Sequence, residues 1–303
     1  MNQVQLRIGV IGIADGWSTE RMLDALEQRT GFRRLIEMQD VAFDFEHGRL
    51  VHEGFDLSEL DGVVVKKIAK EYSPDALDRV ELIRALEGSG VRVFSRPESM
   101  YALIDRLSGT VRLRQGGIPM PPTVVTESLD EGEAAVRRLG AVMGKPLYTS
   151  KARGMEVMRA EDPELRAKLE QFKAANPVMY LQQLVDIPGR DLGVVFLGGE
   201  YLATYARVSR SGSGITSTSQ GGKYEAHEPS AEIIELARKA QALYDLDFTC
   251  VDVVETADGP KVFEVSAFGG FRGLLEACKL DAAAKYADYA IATIQAARAG
   301  GVQ

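Results

Sequence analysis

The run Cys250-Val251-Asp252-Val253-Val254-Glu255, the turn Thr256–Pro260 and the return run Lys261-Val262-Phe263-Glu264-Val265-Ser266 decide how this chain is read. Two β-branched stretches joined by a short polar turn read as a hairpin. With the turn centred on Asp258, Asp252 lies directly opposite Glu264. Ser266, two residues further on, projects from the same face. Val251, Val253, Phe263 and Val265 are then expected on the other face, against a core. Carboxylates placed opposite each other across a ladder repel. Either a cation sits between them, or the two acids splay apart on a solvated face. Oxygen-only donors on a rigid hairpin suit Mg2+, which takes one or two carboxylates, keeps waters and binds phosphates.

Cations that could meet phosphates lie upstream. Lys145-Pro146 ends an expected strand, Ala141–Leu147, and Thr149-Ser150-Lys151-Ala152-Arg153-Gly154 follows as a short basic loop able to wrap a triphosphate. No GxxxxGK occurs, so this is not a Walker A loop. Arg207 ends an expected strand, Tyr201–Val208, which Gly198-Gly199 joins to Leu192–Leu197 as a two-residue hairpin. In a regular hairpin of that length, Asp191 points away from the face of Arg207. The Ser/Thr/Gly-rich stretch Ser209–Lys223 has a cation at each end and reads as a closing phosphate cover or as a solvated linker.

Toward the start, Leu6–Ile13 and Gly62–Val65 are apolar runs. Helical periodicity covers Ser18–Gln28, with Ser18 as N-cap, and Pro74–Glu87, before a strand Val91–Phe94. Strands alternating with helices predict a parallel sheet. Gly9, Gly12 and Gly16 lack dinucleotide-binding spacing. A helix over Ser99–Gln115 leads into Gly116–Pro122, whose prolines mark a linker. Helices are also expected at Asp130–Leu139, Asp162–Ala174, Ala231–Tyr244 and from Asp281 onward.

The 303 residues carry a formal net charge of −8, with 45% hydrophobic and 26% charged residues, an ordinary globular composition. The acidic balance argues against nucleic acid as a partner. Two cysteines, Cys250 and Cys278, fit a reducing compartment. No apolar run reaches the roughly 20 residues of a membrane span, and the first residues lack the pattern of a signal peptide. His47, His52 and His227 form no metal-binding pair. The expectation is a cytoplasmic protein with neither membrane nor nucleic acid as partner.

In this order the pieces resemble the ATP-grasp superfamily, and within it the RimK-type ligases that join a carboxylate to an amine. The resemblance spans essentially the whole chain. It implies an α/β (α+β) architecture: a Rossmann-like pre-ATP-grasp domain over 1–98, then a two-lobed ATP-grasp fold with lobe A at 99–182 and lobe B at 183–303. Ile104-Asp105-Arg106-Leu107 resembles the family's helix with a phosphate-binding base, and Gly117-Ile118-Pro119-x-Pro121-x-Thr123 its linker. Lys145 matches the strand lysine on the α- and β-phosphates, and Lys151, Arg153 and Gly154 match the small loop over them. Tyr180–Val185 is similar to the hinge strand whose backbone reads adenine, which implicates Gln183, where Glu is usual, and Leu184. Asp191 matches an acidic nucleotide contact and Arg207 a phosphate-contacting arginine. Asp252, Glu264 and Ser266 fall on the Mg2+ triad.

Arg272, in Phe268-Gly269-Gly270-Phe271-Arg272-Gly273, could hold an acceptor carboxylate bidentately or be a helix-leading surface arginine. Departures from the family pattern are Ser266 for Asn, Gly193 for Arg, and Ile215 and Ser217 for the lid's Arg and Asn. They resemble a divergent branch, such as the ATP-grasp enzymes of the GAK gene system. The resemblance implies ATP and Mg2+, with Mn2+ as an alternative ion. It also implies a small-molecule or peptide carboxylate, an amine, and a homodimer or tetramer. An ATP-grasp phosphotransferase and a non-catalytic ATP-binding scaffold are the alternative functions.

Overall fold

A computed structural model of the chain describes residues 5–149, 153–208 and 223–300. Lys151, Ile215, Ser217 and the stretch expected to act as a lid lie outside the described residues.

The N-terminal region opens with β1 (Ile8–Ile11), α1 (Trp17–Thr30) and β2 (Leu35–Ile36). It continues through a small hairpin sheet of β3 (Val41–Asp44), β4 (Arg49–His52) and β5 (Phe55–Asp56), then β6 (Gly62–Val65), α2 (Asp75–Gly88) and β7 (Arg92–Phe94). β1, β2, β6 and β7 form a parallel sheet in the order β2-β1-β6-β7, as the alternation of strands and helices required. Every residue of β1 and β6 is buried, the pattern of a parallel sheet covered on both faces. In α1, Met22, Leu23, Ala25 and Leu26 recur at helical spacing and are buried. Ser18 lies inside this helix and does not cap it; the N-cap is Gly16.

The helix expected over Ser99–Gln115 is two helices, α3 (Pro97–Ile104) and α4 (Arg106–Gln115). Asp105 breaks it, with an extended backbone and a side chain that accepts the Ser108 N–H at 2.8 Å. The break turns Arg106 into the first residue of a new helix.

Next come β8 (Thr123–Thr126), α5 (Leu129–Leu139), β9 (Ala141–Lys145), β10 (Glu156–Arg159), α6 (Leu165–Ala175) and β11 (Met179–Gln183). Their antiparallel sheet, ordered β10-β9-β11-β8, packs on α5 and α6 around its own core of Val136, Val142, Leu169, Phe172 and Leu181. The last sheet has the order β14-β13-β12-β15-β16, from β12 (Arg190–Leu197), β13 (Glu200–Val208), β14 (Lys223–Ala226), β15 (Phe248–Thr256) and β16 (Gly259–Ser266). α7 (Ala231–Ala242) covers one face of it, and α8 (Arg272–Cys278) and α9 (Ala282–Gly300) complete the chain.

α9 returns to pack on α1, so residues from both ends of the chain share one core. That core joins Val10, Leu26 and Phe94 to Tyr205, Phe248, Phe271 and Tyr286. Each fully buried large apolar side chain contributes roughly 1.5–3 kcal/mol, which fixes the N-terminal sheet against the five-stranded sheet. The β8–β11 sheet has a separate core, and Lys145 at the end of β9 meets Phe263 of β16 in the cleft between the two sheets. Among the described residues no helix is long and apolar enough to cross a membrane.

Candidate active site

Two irregular hairpins set the floor of the cleft. In β15–β16 the tight turn is Ala257-Asp258, which pairs Thr256 with Gly259 and Val253 with Val262. A one-residue bulge at Phe263 then shifts the register, so that Asp252 faces Glu264 and Cys250 faces Ser266. The expected pairing is present, but the bulge produces it and not a turn centred on Asp258. The bulge also exchanges two side chains. Val262 fills the core that was assigned to Phe263, and the Phe263 ring lies 4.9 Å from the Lys145 Nζ.

The β12–β13 hairpin carries the same device. A register shift between Val195 and Phe196 places Asp191 directly opposite Arg207. The expectation that Asp191 points away from Arg207 is therefore corrected. The regular hairpin it assumed lacks the extra residue, Leu202, that turns Arg207 onto the face of Asp191. Arg207 Nε donates to Asp191 Oδ2 at 2.9 Å, and its Nη2 is paired with Asp191 and lies 2.9 Å from Asp252 Oδ2.

Cations converge on this floor from three elements. Arg106, from α4, donates to Glu264 Oε2 at 2.6 Å and its Nε reaches toward the Pro146 carbonyl. Lys145, at the end of β9, is 8% exposed and donates to Gln182 Oε1 at 2.6 Å. Arg207 comes from β13. Burial works against the Arg207 charge, but Asp252 and Asp191 outweigh it and hold the guanidinium protonated well above its ordinary range. Burial, with Arg106 nearby, pulls the Lys145 ammonium down to about 7. Burial pushes the Asp252 carboxyl up to about 6 against the pull of Arg207, and Glu264 adds to the rise. Burial also acts to raise Glu264, yet Arg106 and Lys145 outweigh it and keep that carboxyl below its usual range.

The carboxylates keep capacity for a hard cation. Arg207 occupies Oδ2 of Asp252 and Arg106 occupies Oε2 of Glu264; among the described residues, Oδ1 of Asp252 meets only the Cys250 thiol at 3.5 Å. Glu264 Oε1 has no hydrogen bond among the described residues, and 46% of that side chain is open to the cleft. Two oxygen-only donors side by side on a rigid hairpin fit Mg2+. No group of three or more His, Cys, Asp or Glu side chains suited to a metal occurs among the described residues.

Other expected residues lie nearby or apart. Ser266 follows Glu264 on the same face, and its carbonyl accepts from Thr249 Oγ1. Arg153 reaches Glu71 at 3.3 Å, and Gly154 follows it with φ of +65°. The Leu184 N–H donates to the Ala141 carbonyl, and the Gln183 side chain turns toward the Leu139 carbonyl, away from Lys145. Arg272 stands outside the cluster. It opens α8 with its Cζ 5.1 Å from the Trp17 ring centroid and its Nε 3.7 Å from Glu276.

Sequence reasoning missed Gln182, and it noted Gly193 without the packing that explains it. Gln182, buried in β11, bridges Lys145, Thr123 and Tyr180. Its alternation with Tyr180 on one face of the strand was the available signal. Gly193, where the family pattern has Arg, pairs with Asp252 and Tyr205 in neighbouring strands. A Cβ there would meet the Tyr205 ring at 2.4 Å, so the tyrosine occupies the room a side chain would need.

An antiparallel sheet carrying a buried lysine stands beside paired carboxylates and a clamped arginine, an arrangement with room for a hard cation and cations for an anionic ligand. A family model of the RimK-like ATP-grasp domain matches residues 105–290, and the chain belongs to that family. It is an ATP-dependent carbon–nitrogen ligase that joins a carboxylate to an amine. The chain is 23% identical to the tetrahydromethanopterin:alpha-L-glutamate ligase of Methanosarcina acetivorans, over 92% of this chain and 98% of that protein. It is 26% identical to human beta-citrylglutamate synthase B, over 90% of this chain and 72% of the other. Among solved structures, the ATP-grasp ligase PsnB complexed with a phosphomimetic variant of its minimal precursor, Mg and ADP is similar. The TM-score is 0.74 at 20% identity, covering 96% of this chain and 100% of that one.

Proposed function

We propose that the cleft binds Mg·ATP and uses it to activate a carboxylate as an acyl phosphate, which an amine then converts to an amide with release of phosphate. The observation that carries this reading is that Arg106 and Arg207 pair with Glu264 and Asp252 while Lys145, from a third element, lies close enough to feel both carboxylates. Bringing a carboxylate against a triphosphate costs roughly 4 kcal/mol per pair of unit charges about 4 Å apart at an effective dielectric near 20. Each well-placed cation offsets a comparable amount, which makes catalysis here a matter of positioning and electrostatics.

In this reading Lys145, Arg106 and the Arg153–Gly154 loop hold phosphates, and Gln183, Leu184 and Asp191 serve the nucleotide. Gln182 aims the Lys145 amine. Arg207 stabilises charge at the transferred phosphoryl group, and Asp191 fixes its orientation. Arg272 receives the acceptor carboxylate. Asp252, Glu264 and Ser266 hold magnesium, or manganese in its place. Bound there, the ion neutralises phosphate charge as it builds up.

The reading extends to a small-molecule or peptide carboxylate, an amine such as an amino acid, and a cytoplasmic homodimer or tetramer of three-unit protomers divided at 98 and 182. Thermal-shift titration with Mg·ATP tests its base. Ligand at about 100 times its dissociation constant stabilises the folded state by roughly 2.7 kcal/mol, and no stabilisation at millimolar nucleotide would remove the nucleotide site. Phosphate retained on a product would point to the phosphotransferase alternative.

A further inference from the structure

Lys66 lies just past β6, far in sequence from the residues of the cleft. It is 5% exposed. Its Nζ donates to the Gly269 carbonyl at 2.6 Å, and the same ammonium lies 3.7 Å from the Phe271 ring centroid and 4.8 Å from that of Phe248. Burying an ammonium is costly unless hydrogen bonds and aromatic faces compensate. Here burial pulls it down to about 7. A methionine would fill a similar apolar space without that cost, so the charge is kept for what it holds.

What it holds is the loop between the carboxylate strand and α8. Ser266 ends β16, and Arg272 begins α8 only six residues later. Gly269 sits against β15, where a Cβ would meet the Phe248 ring at 2.9 Å and the Cys250 nitrogen at 3.3 Å. The loop meets the N-terminal region twice more: the Phe271 N–H donates to Ser18 Oγ at 3.3 Å, and the Phe268 ring stacks on Tyr72 with centroids 6.4 Å apart. Three side chains of the N-terminal region therefore touch this loop: Lys66 beside β6, Tyr72 before α2 and Ser18 from α1.

We infer that Lys66 is a positioning residue, a strut from the N-terminal sheet that sets the Gly269–Arg272 loop and thereby places Arg272 for the acceptor. The inference rests on the reading of Arg272 as the acceptor contact. Nucleotide affinity belongs to Lys145, Arg106, Arg207 and the carboxylate pair, on other elements, so loss of the strut acts on the acceptor side alone.

The chain supplies its own reporter. Trp17 is its single tryptophan, and Arg272 lies over it. The test uses the full-length protein, acrylamide quenching of Trp17 fluorescence, and calorimetric binding of Mg·AMPPNP. For Lys66→Met the Trp17 quenching constant is expected to rise at least twofold while the Mg·AMPPNP dissociation constant stays within twofold of wild type. Lys66→Arg, which keeps the charge over the rings, is expected to return quenching toward wild type. Unchanged quenching in Lys66→Met, or a more than twofold loss of Mg·AMPPNP affinity with it, overturns the strut. Should Lys66→Met fail to fold, Phe271→Leu removes the nearer ring from under the ammonium, and the same two outcomes decide. If the wild-type protein binds no Mg·AMPPNP, the nucleotide reading fails, while the Trp17 measurement still decides whether Lys66 sets the loop.

Discussion

Replacing Glu264 by Gln separates the fold of the cleft from its chemistry. In the folded chain Glu264 faces Asp252 across the ladder and binds Arg106 at 2.6 Å. Two carboxylates about 5 Å apart at an effective dielectric near 20 repel by roughly 3 kcal/mol. The substitution removes that repulsion and with it the charge partner of Arg106, and a glutamine oxygen can still accept the arginine's hydrogen bond. These effects oppose each other, so unfolding stability should change by less than about 2 kcal/mol. Turnover should respond quite differently. Losing one of two anionic ligands beside a triphosphate forfeits about 4 kcal/mol, or roughly a thousandfold in rate.

The titration of Asp252 adds an independent readout. Its carboxyl is raised to about 6, mainly by burial and in part by Glu264. A group raised in the folded state contributes stability at low pH that is lost as pH climbs through the folded value. Between pH 5 and 7 the wild-type protein should therefore lose stability through Asp252. The Glu264→Gln protein should lose less, because the neighbouring negative charge is gone. Urea denaturation at both pH values, with ADP release measured alongside, reads all three effects. Turnover within tenfold of wild type, or a variant that does not fold, would refute this account of the pair.

Further outcomes follow from the same geometry. Lys145→Met should weaken Mg·ATP binding at least tenfold, read by calorimetry, without lowering the melting temperature of the nucleotide-free protein. Because the Lys145 ammonium is pulled down to about 7, wild-type stability should also climb between about pH 7 and 10, and this variant should lose part of that climb. Arg207→Met should cost about 3–5 kcal/mol in chemical denaturation, since Asp191 and Asp252 stay buried without their cation. Adding Asp191→Asn should then cost less than the two single changes together, and strict additivity would contradict the clamp. Gly193→Ala should cost about 1–3 kcal/mol by driving a methyl into the Tyr205 ring, and a melting temperature equal to wild type would show that the ring has room to move.

Much of this site was legible because charge and alternation are local signals. Lys145 and Arg207 could be placed at a strand end, and Asp252 opposite Glu264, from spacing alone. The bulges could not be read that way. Phe263 and Leu202 look like ordinary strand residues, and only the packing of Val262 and the pairing of Arg207 with Asp191 reveal the extra residue in each ladder. One expectation therefore reached the right pair through the wrong turn, and another sent Asp191 to the wrong face. The break at Asp105 was hidden for a related reason, because helical periodicity runs through it while the cap acts over three residues. The strands of residues 41–56 and β10 are two to four residues long, too short to show a clear period. Lys66 and Gly269, 203 positions apart, meet only once both sheets are packed.

The most direct test of the central claim is the fate of the γ-phosphate. Purified protein is incubated with γ-labelled ATP, Mg2+, a pool of carboxylic acids and L-glutamate as the probe amine, and products are followed by mass spectrometry. The account predicts ADP and free labelled phosphate in equal amounts, together with a new amide that requires both carboxylate and amine. Label retained on an organic product would contradict amide ligation, and no carboxylate-dependent consumption of ATP would contradict the carboxylate-activating site built on Lys145, Arg207, Asp252 and Glu264.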